Sequence, residues 1–365
     1  MLARPTAQAT GWPIGWVTGS LSLGLLVSGL LSPWVGRLID RHGGRPVLAA
    51  SATLLATGLV VVGLAPTLPV FVAGWSVIGV AMAAGLYDPA FAALGQLYGE
   101  HARGAITRLT LFGGFSSTIC WPLSAWLLER VGWRGTCIAF AAIAVLIVLP
   151  LYLFGLPRAR LSPPSSIRPQ SELPTQGRRP AAFAILAAGL TLASFIMTVI
   201  AVQLLVMLQA RGLSLAAAVG LGALVGPSQV GARFLESVIG RRLHPVWTLV
   251  ASTVLVASGL ATLMGGAGAI TVGLVLYGAG SGLRSIAQGT VPLALFGREG
   301  YAMLMGKLAF PKLVAQAAAP SVGAFLLDRL GAGPTTATLF AAALVNVAVA
   351  LALVPFAATL HPTSG

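Results

Sequence analysis

The chain has 365 residues, 57% hydrophobic and only 8% charged, with a mean hydropathy of +0.91. A water-soluble domain carries about 25% charged residues, so a soluble globular protein is excluded. The net charge of +14 would point to nucleic acid in a soluble protein. Here the bases lie in loops between apolar runs, and no nucleic-acid partner is expected.

Apolar runs of about 20 residues match the length of a helix that crosses a bilayer. They recur near 15–36, 47–66, 69–97, 106–128, 135–156, 181–208, 213–235, 246–264, 269–296, 303–327 and 335–358. This pattern predicts an all-α polytopic membrane protein with eleven spans. The 45 Gly and 23 Pro suit membrane helices, whose backbones pack closely through small residues. The short alternating segments of a β-barrel are missing.

The first loop, GRLIDRHGGRP at 36–46, concentrates an acid and several bases between two apolar runs. Charges are costly in hydrocarbon, so this is a loop between spans. Sorting Lys and Arg by alternate loops puts most of them on one side, including Arg37, Arg41, Arg45, Arg103, Arg108, Arg233, Arg241 and Arg298. The opposite side holds Arg130, Arg134, Arg211 and Arg329, with Arg4 at the N-terminus. The positive-inside rule then places the N-terminus outside and the C-terminus in the cytoplasm, for a protein of the plasma membrane or the bacterial inner membrane.

Residues 158–180 are rich in Pro, Ser and Arg and read as a flexible cytoplasmic linker. They divide a first half, 1–157, from a second, 181–365. The halves repeat. GRLID at 36–40 aligns with ARFLE at 232–236, and LERVG at 128–132 aligns with LDRLG at 327–331. Paired helical halves are the internal symmetry of secondary transporters.

The pattern Gly36-x3-Asp40-Arg41-x-Gly43-x-Arg45 resembles the helix 2–helix 3 loop motif of the major facilitator superfamily. A weaker copy lies at Arg233, Glu236, Gly240 and Arg241. The spans then correspond to family helices 2–12. The repeat shift leaves 181–208 without a counterpart, so the family's first helix is expected before residue 1. Stretches at Tyr87-Asp88-Pro89, Gly132-Trp133-Arg134 and Gly226-Pro227-Ser228-Gln229 are similar to the oxalate/formate and monocarboxylate-carrier branch. The resemblance implies alternating access, with the two halves rocking about a central site and the protein acting as a monomer. It makes the loop motif a gate: Asp40 accepts hydrogen bonds from a neighbouring helix N-terminus, and Arg41 and Arg45 pair with acids.

Ionisable residues inside spans are candidate sites. Asp88, Arg284 and Lys312 each lie twelve to fourteen residues from the charged loop residues Glu100, Arg298 and Glu299. At 1.5 Å per residue that is about 18–21 Å of depth, near mid-membrane. The repeat maps Asp88 onto Arg284, so this acid and base are expected to face one another. Tyr277, Ser281, Arg284 and Gln288 form one polar stripe, and Gln316 lies a turn beyond Lys312. Thr191, Ser194 and Thr198 make a weaker stripe, as do Ser117, Cys120 and Ser124, since such hydroxyls often bond their own backbone. Two bases and one acid leave a charge of about +1, which suits a monoanion. With Asp88 protonated the site takes a dianion, and binding becomes coupled to proton uptake. The guanidinium fork of Arg284 favours a carboxylate.

Cys120 and Cys137 read as small core residues. The four His, at 42, 101, 244 and 361, lie in loops or the tail, and no metal or phosphate motif occurs in a suitable context. Neither an enzyme nor a cofactor or metal is expected. The competing readings are an exporter of drugs or metabolites from the same superfamily and a non-transporting receptor or sensor. The first is disfavoured by the absence of Gly-Pro-x-x-Gly-Gly from 106–128, the second by the absence of a soluble domain.

Overall fold

The computed structural model describes residues 2–157, 178–240 and 243–360. The linker at 158–180 and Arg241 therefore fall largely or wholly outside the described residues. The chain is helical, with no strand among the described residues. In order the helices are α1 (Ala3–Thr10), α2 (Ile14–His42), α3 (Gly44–Leu64), α4 (Leu68–Gly85), α5 (Tyr87–Tyr98), α6 (Ala102–Gly113) and α7 (Ser116–Ile143). There follow α8 (Arg178–Gln209), α9 (Leu215–Gly222), α10 (Val225–Ile239), α11 (Pro245–Leu263), α12 (Ala267–Phe296), α13 (Tyr301–Leu330), α14 (Ala332–Leu351) and α15 (Val354–Leu360).

Ten helical runs among the described residues are long and apolar enough to cross a membrane. The count differs from the expected eleven because the fourth and fifth predicted spans join in one run, Ile119–Gly155. A continuous helix of 37 residues would be about 56 Å long, nearly twice the hydrocarbon thickness. Gly132, at φ 67° and ψ −178°, interrupts it. That left-handed φ is open to glycine and costly for other residues. The same predicted span is also broken at its start, where Gly114 and Phe115 form a turn between α6 and α7.

The described chain forms two compact units, and each takes a segment from the other half of the sequence. The first contains α1–α5, α7 and Gly300–Ala317, the leading part of α13. The second contains Glu100–Phe115 with α6, then α8–α12 and the chain from Ala318 onward.

Within the first unit, α2 lies on α4 through Gly24 and Gly79. A Cβ on Gly79 would sit 2.6 Å from the Gly24 carbonyl. In lipid, helices associate through such close packing rather than through a hydrophobic drive. Val17, Val62, Phe71, Ile78, Trp133 and Cys137 form a buried cluster that Ala3 and Ala7 of α1 also join. Within the second unit, Ile196, Ile200, Leu260, Leu274 and Leu339 form the core, and Ser252 of α11 donates to the Gly280 carbonyl of α12 at 2.8 Å.

Two arginines from the base-poor side act as helix caps. Arg134 donates to the carbonyls of Gly63 and Ala65 at 2.9 and 3.0 Å, in the last turn and C-cap of α3, with its guanidinium 4.5 Å from the Trp133 ring. Arg211 donates to the Leu263 carbonyl at the end of α11. Both satisfy orphan carbonyls and oppose the negative end of a helix dipole. Of the two cysteines expected in the core, Cys137 is buried but Cys120 is exposed. The leading part of α7 around Cys120 is exposed, as Ile119, Trp121 and Trp126 also are.

Candidate functional site

In the first unit, α4 ends at Gly85 and α5 begins at Tyr87, with Leu86 extended between them at φ −74° and ψ −173°. The run Leu68–Tyr98 is therefore a broken span. Asp88 sits in the first turn of α5, where the positive end of the helix dipole favours a carboxylate. Pro89 follows it; proline is tolerated in a first turn, where its missing N–H has no intrahelical partner.

The sequence pairs Asp88 with Arg284, but the base on Asp88 is Lys312. Its Nζ donates to both carboxylate oxygens at 2.6 Å, and the Lys312 and Asp88 side chains are only 6% and 8% exposed. Repeat symmetry aligns positions along the two halves. It carries no information on which segment docks against α5, and here that segment is Gly300–Ala317. Lys312 is itself buried against Asp88. The crevice beside Asp88, lined among others by Ser32, Gly36, Pro89, Met305 and Gly306, holds about 10 Å³, roughly one water molecule. Gln316 is half-buried on the Lys312 helix.

The loop motif builds a second contact of the same unit. Asp40 Oδ2 accepts from the Met303 N–H of α13 at 3.0 Å, acting as a cap supplied from another helix. Gln96 of α5 donates to the Ile39 carbonyl at 2.7 Å. Gly36 gives α13 room: a Cβ there would lie 2.5 Å from the Ala302 carbonyl. Gly43 ends α2 with φ 83°, a left-handed value that explains a glycine at this motif position. Arg41 and Arg45 form no ion pair among the described residues, contrary to expectation. Asp40, the acid of their own loop, is engaged by the α13 N-terminus instead.

In the second unit, Arg284 lies mid-way along α12. Its Nη1 donates to Ser194 Oγ of α8 at 3.3 Å and to Gln288 Oε1 at 3.2 Å. Ser281 accepts from Gln229 of α10 at 3.3 Å. Gln229 in turn accepts from Arg233 at 3.4 Å, and Arg233 donates to the Thr110 carbonyl of α6 at 2.8 Å. Tyr277, from the same stripe, is packed in the core and donates to the Met197 carbonyl at 3.3 Å. Thr198 bonds back to the Ser194 carbonyl at 2.8 Å, whereas the buried hydroxyl of Thr191 finds no hydrogen-bond partner among the described residues.

The weaker motif copy is tied to α6. Glu236 accepts from Thr248 at 2.8 Å and forms an ion pair with Arg103 at 3.4 Å. Arg103 also donates to the carbonyls of Gly240 and Leu243, at 2.5 and 2.8 Å. Sequence reasoning did not assign Gln229 or Arg103 to a site. Gln229 carried a usable signal, an amide inside an apolar span, but Arg103 read only as a loop base.

Ten long apolar helical runs among the described residues, with charged side chains such as Asp88, Arg233 and Lys312 buried within the helical units, define an all-α polytopic integral membrane protein. The chain belongs to the Major Facilitator Superfamily, whose model matches residues 5–283. It is 25% identical over 155 residues to the uncharacterized MFS-type transporter YcxA of Bacillus subtilis (strain 168), covering 42% of this chain and 38% of that protein. It is 28% identical over 165 residues to monocarboxylate transporter 11 of Mus musculus, covering 44% and 35%. The matched region thus spans little more than a third of either relative. The crystal structure of the human organic anion transporter MFSD10 (TETRAN) superposes with a TM-score of 0.74 at 18% identity, covering 95% of this chain and 88% of that one. At that identity the likeness establishes the fold.

Proposed function

We propose that the protein is a secondary active transporter that works by alternating access and carries a small organic anion, a monocarboxylate or similar. The observation that carries this is the placement of Arg284. A guanidinium sits mid-way along a membrane helix, aimed by the neutral oxygens of Ser194 and Gln288. Charges at such depth are retained for function, and a planar fork matches a carboxylate. The names of two similar proteins, a monocarboxylate transporter and an organic anion transporter, support the same chemistry.

In this reading Arg284 anchors the anion, with Ser281 and Gln288 shaping its surroundings. Asp88 and Lys312 form the second polar site, where protonation of Asp88 would couple proton uptake to anion binding. The halves 1–157 and 181–365 are the moving bodies, joined by 158–180. The motif residues Gly36, Asp40, Gly43, Glu236 and Arg233 form the gate. The chain works as a monomer in the plasma membrane, with its C-terminus in the cytoplasm, the side that carries most of the Lys and Arg.

The test is thermal stability of the detergent-purified protein with small carboxylates, sugars, amino acids and cationic drugs. Ligand bound to the folded state raises the melting temperature by mass action. A rise with carboxylates that vanishes in Arg284→Ala supports the proposal. A rise with cationic drugs alone, or one that survives Arg284→Ala, overturns it in favour of an exporter of other chemistry.

A further inference from the structure

We infer that the exposed face of the last turns of α2 binds a phospholipid with an anionic head group. Arg37 and Arg41 hold its phosphate, and Trp34 and Leu30 lie along its glycerol and acyl chains. The inference does not depend on the substrate proposed for Arg284.

Three observations carry it. First, Trp34, Arg37, Leu38 and Arg41 recur at helical steps of three and four, so they share one face of α2, and they line a depression of about 220 Å³. Ser32, Val35 and Ile39 are buried on the packed side of the helix, which turns these four outward. Trp34 is 56% exposed, and both arginines are exposed. Second, the two guanidinium groups have no counter-charge in their own unit. Neither forms an ion pair among the described residues. Asp40 accepts from the Met303 N–H and Asp88 from Lys312. Glu129 lies five residues before Arg134, which binds the carbonyls at the far end of α3, whereas Arg41 adjoins its start at Gly44. The 21 residues of α3 put about 31 Å between those ends. Two guanidinium forks one turn apart match the several oxygens of a phosphate. Third, the same face continues as hydrocarbon. Leu30, one turn before Trp34, is 58% exposed, and Leu26, a turn earlier, is 37% exposed. Leucine, then indole, then guanidinium is the order of acyl chain, glycerol and phosphate in a lipid, and Trp and Arg are the residues that meet head groups at a helix end. Free phosphate would leave the apolar part of this face unused. A zwitterionic lipid would leave the two arginines without net compensation, so the occupant is anionic.

The experiment titrates the full-length, detergent-purified protein with phosphatidylglycerol or with phosphatidylcholine of the same acyl chains, and counts bound lipid by native mass spectrometry. The parent should bind its first phosphatidylglycerol more than about tenfold tighter than phosphatidylcholine. Arg37→Gln with Arg41→Gln should abolish that preference. Arg108→Gln with Arg298→Gln removes the same charge from other exposed positions and should leave the preference within about twofold. Arg37→Lys with Arg41→Lys keeps the charge without the fork and should lower the preference severalfold; this pair also serves if the glutamine pair does not fold. Trp34→Ala should weaken both lipids. Equal affinity of the parent for the two lipids, or a preference unchanged in both arginine variants, overturns the site. An equal loss in the Arg108/Arg298 variant makes the binding an effect of net charge and overturns it too. A melting rise with inorganic phosphate that matches the rise with phosphatidylglycerol assigns the arginines to a free anion and overturns the lipid.

Discussion

Asp40 accepts a hydrogen bond from the backbone of Met303 at 3.0 Å, although 263 positions separate them in the chain. The acid of the first loop motif therefore caps a helix from the opposite half of the sequence. The same unit holds Asp88 and Lys312, 224 positions apart. Both contacts are thus long-range, and each has a consequence that a variant can test.

Asp40→Ala removes the cap of α13. The expected cost is about 1 kcal/mol of stability, within the range of helix caps, and Asp40→Asn should cost less because an amide oxygen still accepts. In a transport assay with membrane vesicles, both should lower the rate more than the apparent affinity. An unchanged rate in Asp40→Ala would remove the gating role.

Removing one member of the Asp88–Lys312 pair leaves an uncompensated charge at depth. Asp88→Leu alone or Lys312→Met alone should destabilise the protein by about 3–5 kcal/mol. The double variant should recover most of that loss, since two apolar side chains carry no desolvation penalty. Thermal unfolding of the three variants in one detergent checks this, and additive losses would show that the pair is not coupled.

Gly36→Val places side-chain atoms where the Ala302 carbonyl now lies. The helices α2 and α13 must move apart, at an expected cost of about 1–3 kcal/mol, the range for overpacking. Gly19→Val on the same helix has open space within 4 Å and serves as the control. Equal losses in the two variants would argue against tight α2–α13 packing.

Arg134→Ala leaves the carbonyls of Gly63 and Ala65 unsatisfied and uncovers Trp133. The expected loss is about 1–3 kcal/mol of stability, the cost of unpairing buried acceptors. The carboxylate-induced melting shift should persist, because the residue serves the scaffold. Loss of that shift would place Arg134 in the binding machinery.

Gln229→Leu breaks the links from Arg233 to Ser281. The expected outcome is a carboxylate melting shift reduced relative to the parent, with Gln229→Asn intermediate. A full shift in Gln229→Leu would show that the Gln229–Ser281 contact does not contribute to carboxylate binding.

Much was legible before any coordinates. Apolar runs of membrane-crossing length, separated by charged loops, already required an all-α polytopic protein, because no other arrangement hides so much apolar surface and so few charges. The loop motif was readable because its spacing places Gly43 at the end of α2, where the backbone turns left-handed. Helical rise alone set an expected depth for Asp88, Arg284 and Lys312. The partners of these residues did not. Hydrophobic periodicity describes one helix at a time and has no term for which helix lies beside it. The repeat shift aligned Asp88 with Arg284, but an alignment of halves is not a contact. Only the tertiary structure placed Lys312 on Asp88 and joined Gly300–Ala317 to the first unit and Glu100–Phe115 to the second. Those choices depend on backbone approach at Gly36 and Gly306 and on charge pairing at depth, both settled by packing across more than two hundred residues of chain.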